Sequence, residues 1–494
     1  MAVRQEQQTG LKRERQKRRG KSVPLERIAH PMTAGDGLCW LSARELARKL
    51  RRRQLTAAEA LEAHLEQIER HNTALNAVVS LDPDRARRLA RAADAALERG
   101  EIWGPLHGVP MTLKDAHDVA GLRTTAGTVE LDRTAEEDGT VAARLRAAGA
   151  ILIAHSNVPS WLADHQTRNP VFGRTANPWN TERTPGGSSG GAAAALAAGM
   201  TPLEVGSDLV ASIRVPAHFC GVYGLKPTEH RVPLTGYFRL PHRVPRSVRI
   251  MSCLGPMARN LGDLELALSI IAGPDGHDSD VPPVPLVSQR RRPLKDLHLA
   301  IAPTPPGATV ARSIRREVER VAAQASDAGA RVDERYPKLD WEAMDQLFGD
   351  LVGTIVGVFD PHAELPEERR TLAWYLDALD RRDRFIAAWD AFFEDFDGLI
   401  LPPAMTTAFT HSESGAPLEV DGKARDYQEL ARVPGRQNMI GLPGLTVPAG
   451  LDDDGLPIGI EIVGPPWSEM RLLRIARELE QADILPGFQR PPGY

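Results

Sequence analysis

The stretch TPGGSSGGAAAALAAGMTPLEVGSDLVASIRVPAHFCGVYGLKPT, residues 184–228, decides the reading of this chain. It carries two candidate nucleophile-region serines, Ser188 and Ser212, 24 residues apart. Lys114 lies 74 residues ahead of the first, within GVPMTLKDAHDVAGLRTTAGT, residues 108–128. A lysine and two serines in such surroundings are the parts of an acyl-transfer site that works without histidine. Serine is a weak nucleophile until a neighbouring base takes its proton. Lysine is that base only when uncharged, and its unperturbed pKa is about 10.4. Burial between apolar walls lowers a lysine pKa by as much as ~3–5. A lowering of about three is worth roughly 4 kcal/mol, and Met111, Leu113 and Ala116 are the candidate walls. Ser188 is the natural relay between Lys114 and Ser212.

Rival readings of the glycine-rich segment Gly186–Gly191 are weaker. It is no phosphate loop, because the Gly-Lys-Ser/Thr ending is missing. Residues 187–191 match G-x-S-x-G with Ser189 central, but that elbow must follow a strand directly. Here the turn-rich NPWNTERTP of residues 177–185 precedes it. A Ser-His-Asp hydrolase drawing on His218, His230 or His242 is therefore disfavoured. The bland alternative is a glycine-rich helix entry with no chemistry.

The rest of the chain fits an α/β protein. Ser42–Glu45 and Thr56–Glu59 read as capping boxes, each opening a helix. In the second, Ala60, Leu61, His64, Leu65 and Ile68 form a stripe at helical spacing. A third helix is expected over about 84–98 and another near 140–148. Strands are expected at 109–113, delivering Lys114, and at 151–154. Short apolar runs alternate with helices to Ile271, as an α/β arrangement requires. Residues 272–295 read as a surface crossing. Further helices are expected near 310–328, 366–395 and 468–482, with strands at 399–401, 445–448 and 458–463. Trp374, Tyr375, Trp389, Phe392 and Phe393 lie in the helical region placed to lean over a site, and core packing of a long helix is the favoured reading of them.

Composition is that of a globular chain, 42% hydrophobic with net charge −4 over 494 residues. Residues 1–21 hold eight Lys or Arg against two Glu, or +6, which leaves −10 for the remainder. Such a run could meet nucleic acid. With almost nothing apolar to bury, it reads instead as a basic disordered tail over residues 1–30. No apolar stretch follows it, so it is no secretory signal, and no segment reaches the ~18 apolar residues of a membrane span. The three cysteines are odd in number and widely spaced, which favours a reducing, cytoplasmic setting. Neither HExxH nor a paired cysteine cluster occurs, so no metal and no cofactor are expected.

These segments resemble the amidase signature family. The lysine segment is similar to that family's own, as is FGRTANPWNTERTPGGSSGG (172–191) to its glycine-serine segment and GSDLVASIRVPAHFCGVYGLKPT (206–228) to its nucleophile segment. GPMARNLGDLELAL (255–268), NMIGLPGLTVPAG (438–450) and GLPIGIEIVGPPW (455–467) fit as well. The resemblance is specific over 104–128, 173–228 and 253–272, and weaker from about 36 to 485. It implies one α/β domain over 31–490 with a mixed central sheet wrapped by helices, a core signature over 104–272 and a variable pocket region over about 310–435. It implies a Ser–cis-Ser–Lys triad, with Ser212 as nucleophile, Ser188 as the cis-serine and Lys114 as base. Ser189, Asp208 and Arg214 fall on supporting positions, and the backbone N–H groups of Leu209, Val210, Ala211 and Ser212 on the oxyanion hole.

The chain departs from the pattern where the family usually has two glycines before the nucleophile. Here Val210 and Ala211 stand, and a β-branched residue rarely tolerates positive φ. Their side chains should crowd the acyl site, which reads as altered specificity. The expected activity is amidohydrolysis of a small-molecule amide, anilide, carbamate or ester through an acyl-enzyme. HFCGVYGLKPTEHRVP (218–233) is similar to bacterial members acting on unnatural amides, including aminohexanoate oligomers. The alternatives are an amidotransferase A-subunit-like component of a tRNA-dependent complex and a non-catalytic binding protein on the same scaffold. No membrane and no nucleic acid partner are expected. A homodimer is compatible with the sequence.

Overall fold

The computed structural model describes residues 37–238, 246–288, 290–357 and 366–494. The expected basic tail and His242 lie outside them. Residues 37–494 form one unit. It opens with the two expected helices, α1 (Ala43–Arg51) and α2 (Ala57–Leu75). Both capping boxes are present: Ser42 and Thr56 accept from the N–H three residues on, and Glu45 and Glu59 reach back. Helix α3 (Pro83–Glu98) follows, with Asp82 accepting from Arg85 N–H and Pro83 at the first turn, where no N–H is missed.

A three-stranded sheet comes next. Strand β1 (Val78–Val79) runs antiparallel to β3 (Ile151–Ser156), which runs parallel to β2 (Pro110–Lys114), with α4 (Thr140–Ala147) between the parallel pair. Lys114 is the last residue of β2, opposite Ser156. Helix α5 (Gly190–Ala197) then leads to β4 (Leu203–Asp208), α6 (Arg214–Cys220), β5 (Tyr223–Lys226), β6 (Cys253–Ala258) and α7 (Leu261–Ile271). The C-terminal half adds β7 (His298–Ile301), α8 (Arg312–Asp327), β8 (Arg331–Glu334), α9 (Trp341–Gly357), α10 (Leu372–Phe392), β9 (Gly398–Leu401), α11 (Arg432–Met439), β10 (Gly444–Leu451), β11 (Pro457–Val463) and α12 (Glu469–Gln481).

Eight strands form the central sheet in the order β8-β7-β9-β11-β10-β5-β6-β4. The β8-β7 and β7-β9 pairs are parallel and the other five antiparallel, so the sheet is mixed. Strand β2 of the small sheet packs on the edge strand β4. That contact carries Lys114 to Ser207.

The elements expected from sequence lie within a few residues of their places. Helices α9 and α11 and strands β1, β7 and β8 are additions to that reading. Of the five aromatics on α10 and just beyond it, Trp389 is fully buried and Phe393 nearly so. Trp389 and Phe393 belong to a core cluster that Trp374 and Phe392 pack against. None of the five lines the cavity described below. All three cysteines are buried and none is in a disulfide. Among the described residues no helix is long and apolar enough to cross a membrane.

Within the 255–268 segment, Arg259 and Asp263 hold the fold together. Arg259 is buried and donates to the carbonyls of Cys39, Leu41, Leu196 and Thr201. Asp263 accepts from Ala43 and Arg44 N–H at the start of α1.

Candidate active site

The glycines of 186–191 are set by close approach. A Cβ on Gly187 would overlap the Asp164 carbonyl oxygen, and one on Gly191 the backbone of Asn157. With glycine in both places, the 161–166 loop and the end of β3 press directly against the start of α5. The Gly187–Ser188 peptide bond is cis, as the resemblance implied. Ser189 is the N-cap of α5, yet its hydroxyl makes no capping bond.

That hydroxyl is engaged with Lys114. Lys114 Nζ is fully buried and lies 2.7 Å from Ser188 Oγ, 2.9 Å from Ser189 Oγ and 2.8 Å from Ser207 Oγ. Met111, Leu113 and Ala116 are fully buried as well. Desolvation pulls the Lys114 amine down to about 7, although Asp208 and Glu204 favour its charged form. The partial positive charge at the N-terminus of α5 acts in the same direction as desolvation. Glu204 is itself fully buried, and desolvation pushes its acid up to about 7.

Proton bookkeeping orders the three serines. A neutral amine donates two hydrogens and accepts one. Ser189 O–H donates to the Ser207 carbonyl (3.3 Å), and Tyr237 O–H donates to Ser207 Oγ (2.7 Å). Ser188 lines a cavity of about 600 Å³ that Ser189 and Ser207 do not line, and Ser212 lines the same cavity. No hydrogen bond joins the hydroxyls of Ser188 and Ser212. Their segments are tied instead by Ser189 N–H donating to the Ser212 carbonyl at 3.1 Å.

Ser212 is held from below by a buried ion network. Arg214 donates to both carboxylate oxygens of Asp208 (3.0 and 2.9 Å) and to Glu461 Oε1 (2.8 Å). Asp208 also accepts from Ile213 N–H. Burial alone would raise the Asp208 carboxyl, but Arg214 outweighs it and holds the group at about 2. Asn438 donates to Asp208 and accepts from Arg214 (2.5 Å). Replacing Arg214 with methionine strands two carboxylates in the interior. Urea denaturation should show a loss of about 3–5 kcal/mol.

Between Asp208 and Ser212 the backbone turns sharply. The positive φ falls on Ala211 (+62°), while Val210 keeps an ordinary negative φ. The substitution for two glycines is thus tolerated because the β-branched residue sits outside the left-handed position. Ala211 N–H makes a long contact of 3.4 Å to Asn438 Oδ1. The N–H groups of Leu209, Val210 and Ser212 have no acceptor among the described residues.

Among the described residues the rival serine-histidine arrangement is not assembled. His218 Nδ1 accepts from Gly459 N–H and its Nε2 faces the Thr406 carbonyl; His230 lies 3.5 Å from Glu229. Neither bonds a serine. Sequence reading missed Ser207, Tyr237, Asn438 and Glu461. Ser207 adjoins Asp208, and strand alternation sends the two side chains to opposite faces. Asn438 opens the 438–450 segment already singled out.

The remaining cavity wall is largely apolar, with Trp161, Leu162, Phe238, Val248, Phe348 and Val352 prominent. Phe348 and Val352 come from α9, and Tyr427, Gln428 and Arg432 from the C-terminal half. The expected 310–435 region therefore supplies part of the pocket. Residues 161–165 supply another part, together with Tyr237, Phe238, Val248 and Ser252.

Known proteins resemble this chain over most of its length. The family model described as Amidase matches residues 59–352 and 338–473. The glutamyl-tRNA(Gln) amidotransferase A-subunit of Moorella thermoacetica is 34% identical, covering 90% of this chain and 97% of its own. AmiB2 of Mycobacterium bovis is 35% identical over 90% of this chain and 96% of its own. The structure of 6-aminohexanoate cyclic dimer hydrolase superposes with a TM-score of 0.77 at 26% identity, covering 92% of this chain and 99% of that one. On its sequence and its fold, this chain belongs to the amidase signature family.

Proposed function

We propose that this protein is an amidohydrolase that cleaves carboxylic amides through a serine acyl-enzyme. The supporting observation is a desolvated lysine bonded to a serine that shares an apolar cavity with a second serine. In this reading Ser212 Oγ attacks the amide carbon. Its proton passes to Ser188 as the Ser188 proton passes to Lys114 Nζ. The unpaired N–H groups of Leu209, Val210 and Ser212 receive the oxyanion, with Ala211 N–H the fourth member of that arc; one such donor is worth ~3–4 kcal/mol. Collapse breaks the C–N bond, and the relay returns the proton to the departing amine. Water then adds to the acyl-serine and releases the carboxylic acid. Anilides, carbamates and esters present the same carbonyl to the same groups.

The amidotransferase reading has support from the 34% identity to the Moorella protein. A wall dominated by Trp161, Phe238, Phe348 and neighbouring aliphatics suits a substrate with a longer apolar body than glutamine has. The test is a panel of acyl p-nitroanilides, linear amides, aryl carbamates and glutamine given to the isolated chain. Release of nitroaniline without a partner protein supports the amidohydrolase. Turnover confined to glutamine, and only once partner proteins are added, supports the alternative.

Val210 lines the cavity beside Ser212. Val210→Ala is expected to raise kcat/KM for bulky acyl groups over acetyl by about 10-fold or more. Acyl-series kinetics read this directly.

A further inference from the structure

Residues 161–165 form a wall of the cavity in an unusual way. Trp161 and Leu162 both take left-handed backbone angles, φ +56° and +60°, a region L side chains avoid. The turn is locked by Trp161 N–H donating to Ala126 O, Leu162 N–H to Pro159 O and Ala163 N–H to Ser160 O. As a result all five successive residues, Trp161 to His165, line the cavity. Strained, over-determined backbone of this kind gathers at ligand contacts.

Asp164 is the one carboxylate in that wall. Its Oδ1 accepts from the Tyr427 hydroxyl at 2.5 Å and from His165 N–H at 2.7 Å, which fixes the group in place. Its Oδ2 has no donor, and no Lys, Arg or His pairs with Asp164 among the described residues. Arg168 lies near enough to feel its charge, but its guanidinium is committed to Glu413 at 2.9 Å. The other carboxylate lining the cavity, Asp345, is paired with Arg436 at 2.8 Å. Asp164 also stands close to the reaction centre, because its carbonyl oxygen abuts Gly187, the neighbour of Ser188. The rings of Trp161 and Phe238 meet edge to face at 6.4 Å on the same wall.

Asp164 is only partly buried, and its Oδ2 is left for a cation that enters the cavity. We propose that the substrate supplies that cation: Asp164 recognises a protonated amine, and the preferred substrates are amides carrying an ammonium group. This rests on the amidohydrolase reading.

The test is binding, so that it does not depend on turnover. Calorimetric titration of the full chain at neutral pH compares n-hexylammonium with 1-hexanol, which has the same chain and no charge. The ammonium ion should bind about ten-fold tighter or more, as expected for a charged hydrogen bond. Asp164→Asn keeps an Oδ1 acceptor for Tyr427 and His165, and it should erase the difference. Equal affinity of the wild type for both probes overturns the proposal, as does a preference that survives in Asp164→Asn. The wild-type comparison decides the matter even if the variant folds poorly. Failure of every anilide to release nitroaniline would instead count against the amidohydrolase reading and leaves this binding result standing.

Discussion

Replacing Ser212 with alanine is expected to lower kcat by about 10⁶-fold, the scale seen when a serine hydrolase loses its nucleophile. The substitution is structurally mild. Ser212 Oγ makes no hydrogen bond among the described residues, and the Ser212 carbonyl that ties this loop to Ser189 remains. The melting temperature should stay within a few degrees of wild type. A fluorophosphonate probe should label the wild type and fail to label Ser212→Ala. Absence of labelling in the folded wild type would favour the non-catalytic reading of the scaffold. Activity within ten-fold of wild type in Ser212→Ala would remove Ser212 from the mechanism.

Lys114→Met is expected to cost about 10²–10⁴-fold in kcat/KM, the usual contribution of a general base. Methionine fills nearly the same volume without an amine. In the wild type, kcat/KM should rise with pH through about 7 and then level, because desolvation lowers the amine to about 7 and only the neutral form accepts a proton. Glu204, displaced to about 7 from the other side, titrates in the same window, so the observed midpoint belongs to the coupled groups. The sign for stability follows from proton counting. Between about 7 and the ordinary value of 10.5, the unfolded chain holds a proton on this lysine that the folded chain lacks. Stability from this group therefore rises with pH across that window, and Lys114→Met should flatten the slope. Full activity of Lys114→Met at neutral pH would end the lysine-base mechanism.

Much of the fold was legible because local signals and burial agree. The capping boxes at Ser42 and Thr56 work within four residues of chain, so sequence alone placed α1 and α2. The 151–154 and 458–463 runs are mostly apolar because both faces of those strands are covered. Helix α9 was missed: Met344, Leu347, Leu351 and Ile355 are its buried face, but Gly349 and Gly353 interrupt the pattern. Strand β8, only four residues long and with no buried position, carries almost no periodic signal.

For the site, residue types and surroundings singled out Lys114, Ser188 and Ser212, because a serine in a glycine-rich run and a lysine among apolar neighbours are chemically improbable as surface decoration, whereas Ser189, Asp208 and Arg214 came only from the resemblance to the amidase signature family. What sequence could not contain is distance. The depressed pKa of Lys114 exists only because β2 packs on β4 and shuts water out, and its third hydroxyl partner, Ser207, arrives through that contact. Asn438 and Glu461 reach Asp208 and Arg214 across more than 200 residues of chain. Likewise the position of positive φ, on Ala211 and not Val210, is set by how the loop is clamped at both ends. Sequence determined which groups are present and which local turns they favour. Tertiary packing decided which of them lose their water, since desolvation and charge pairing are properties of neighbours remote in the chain.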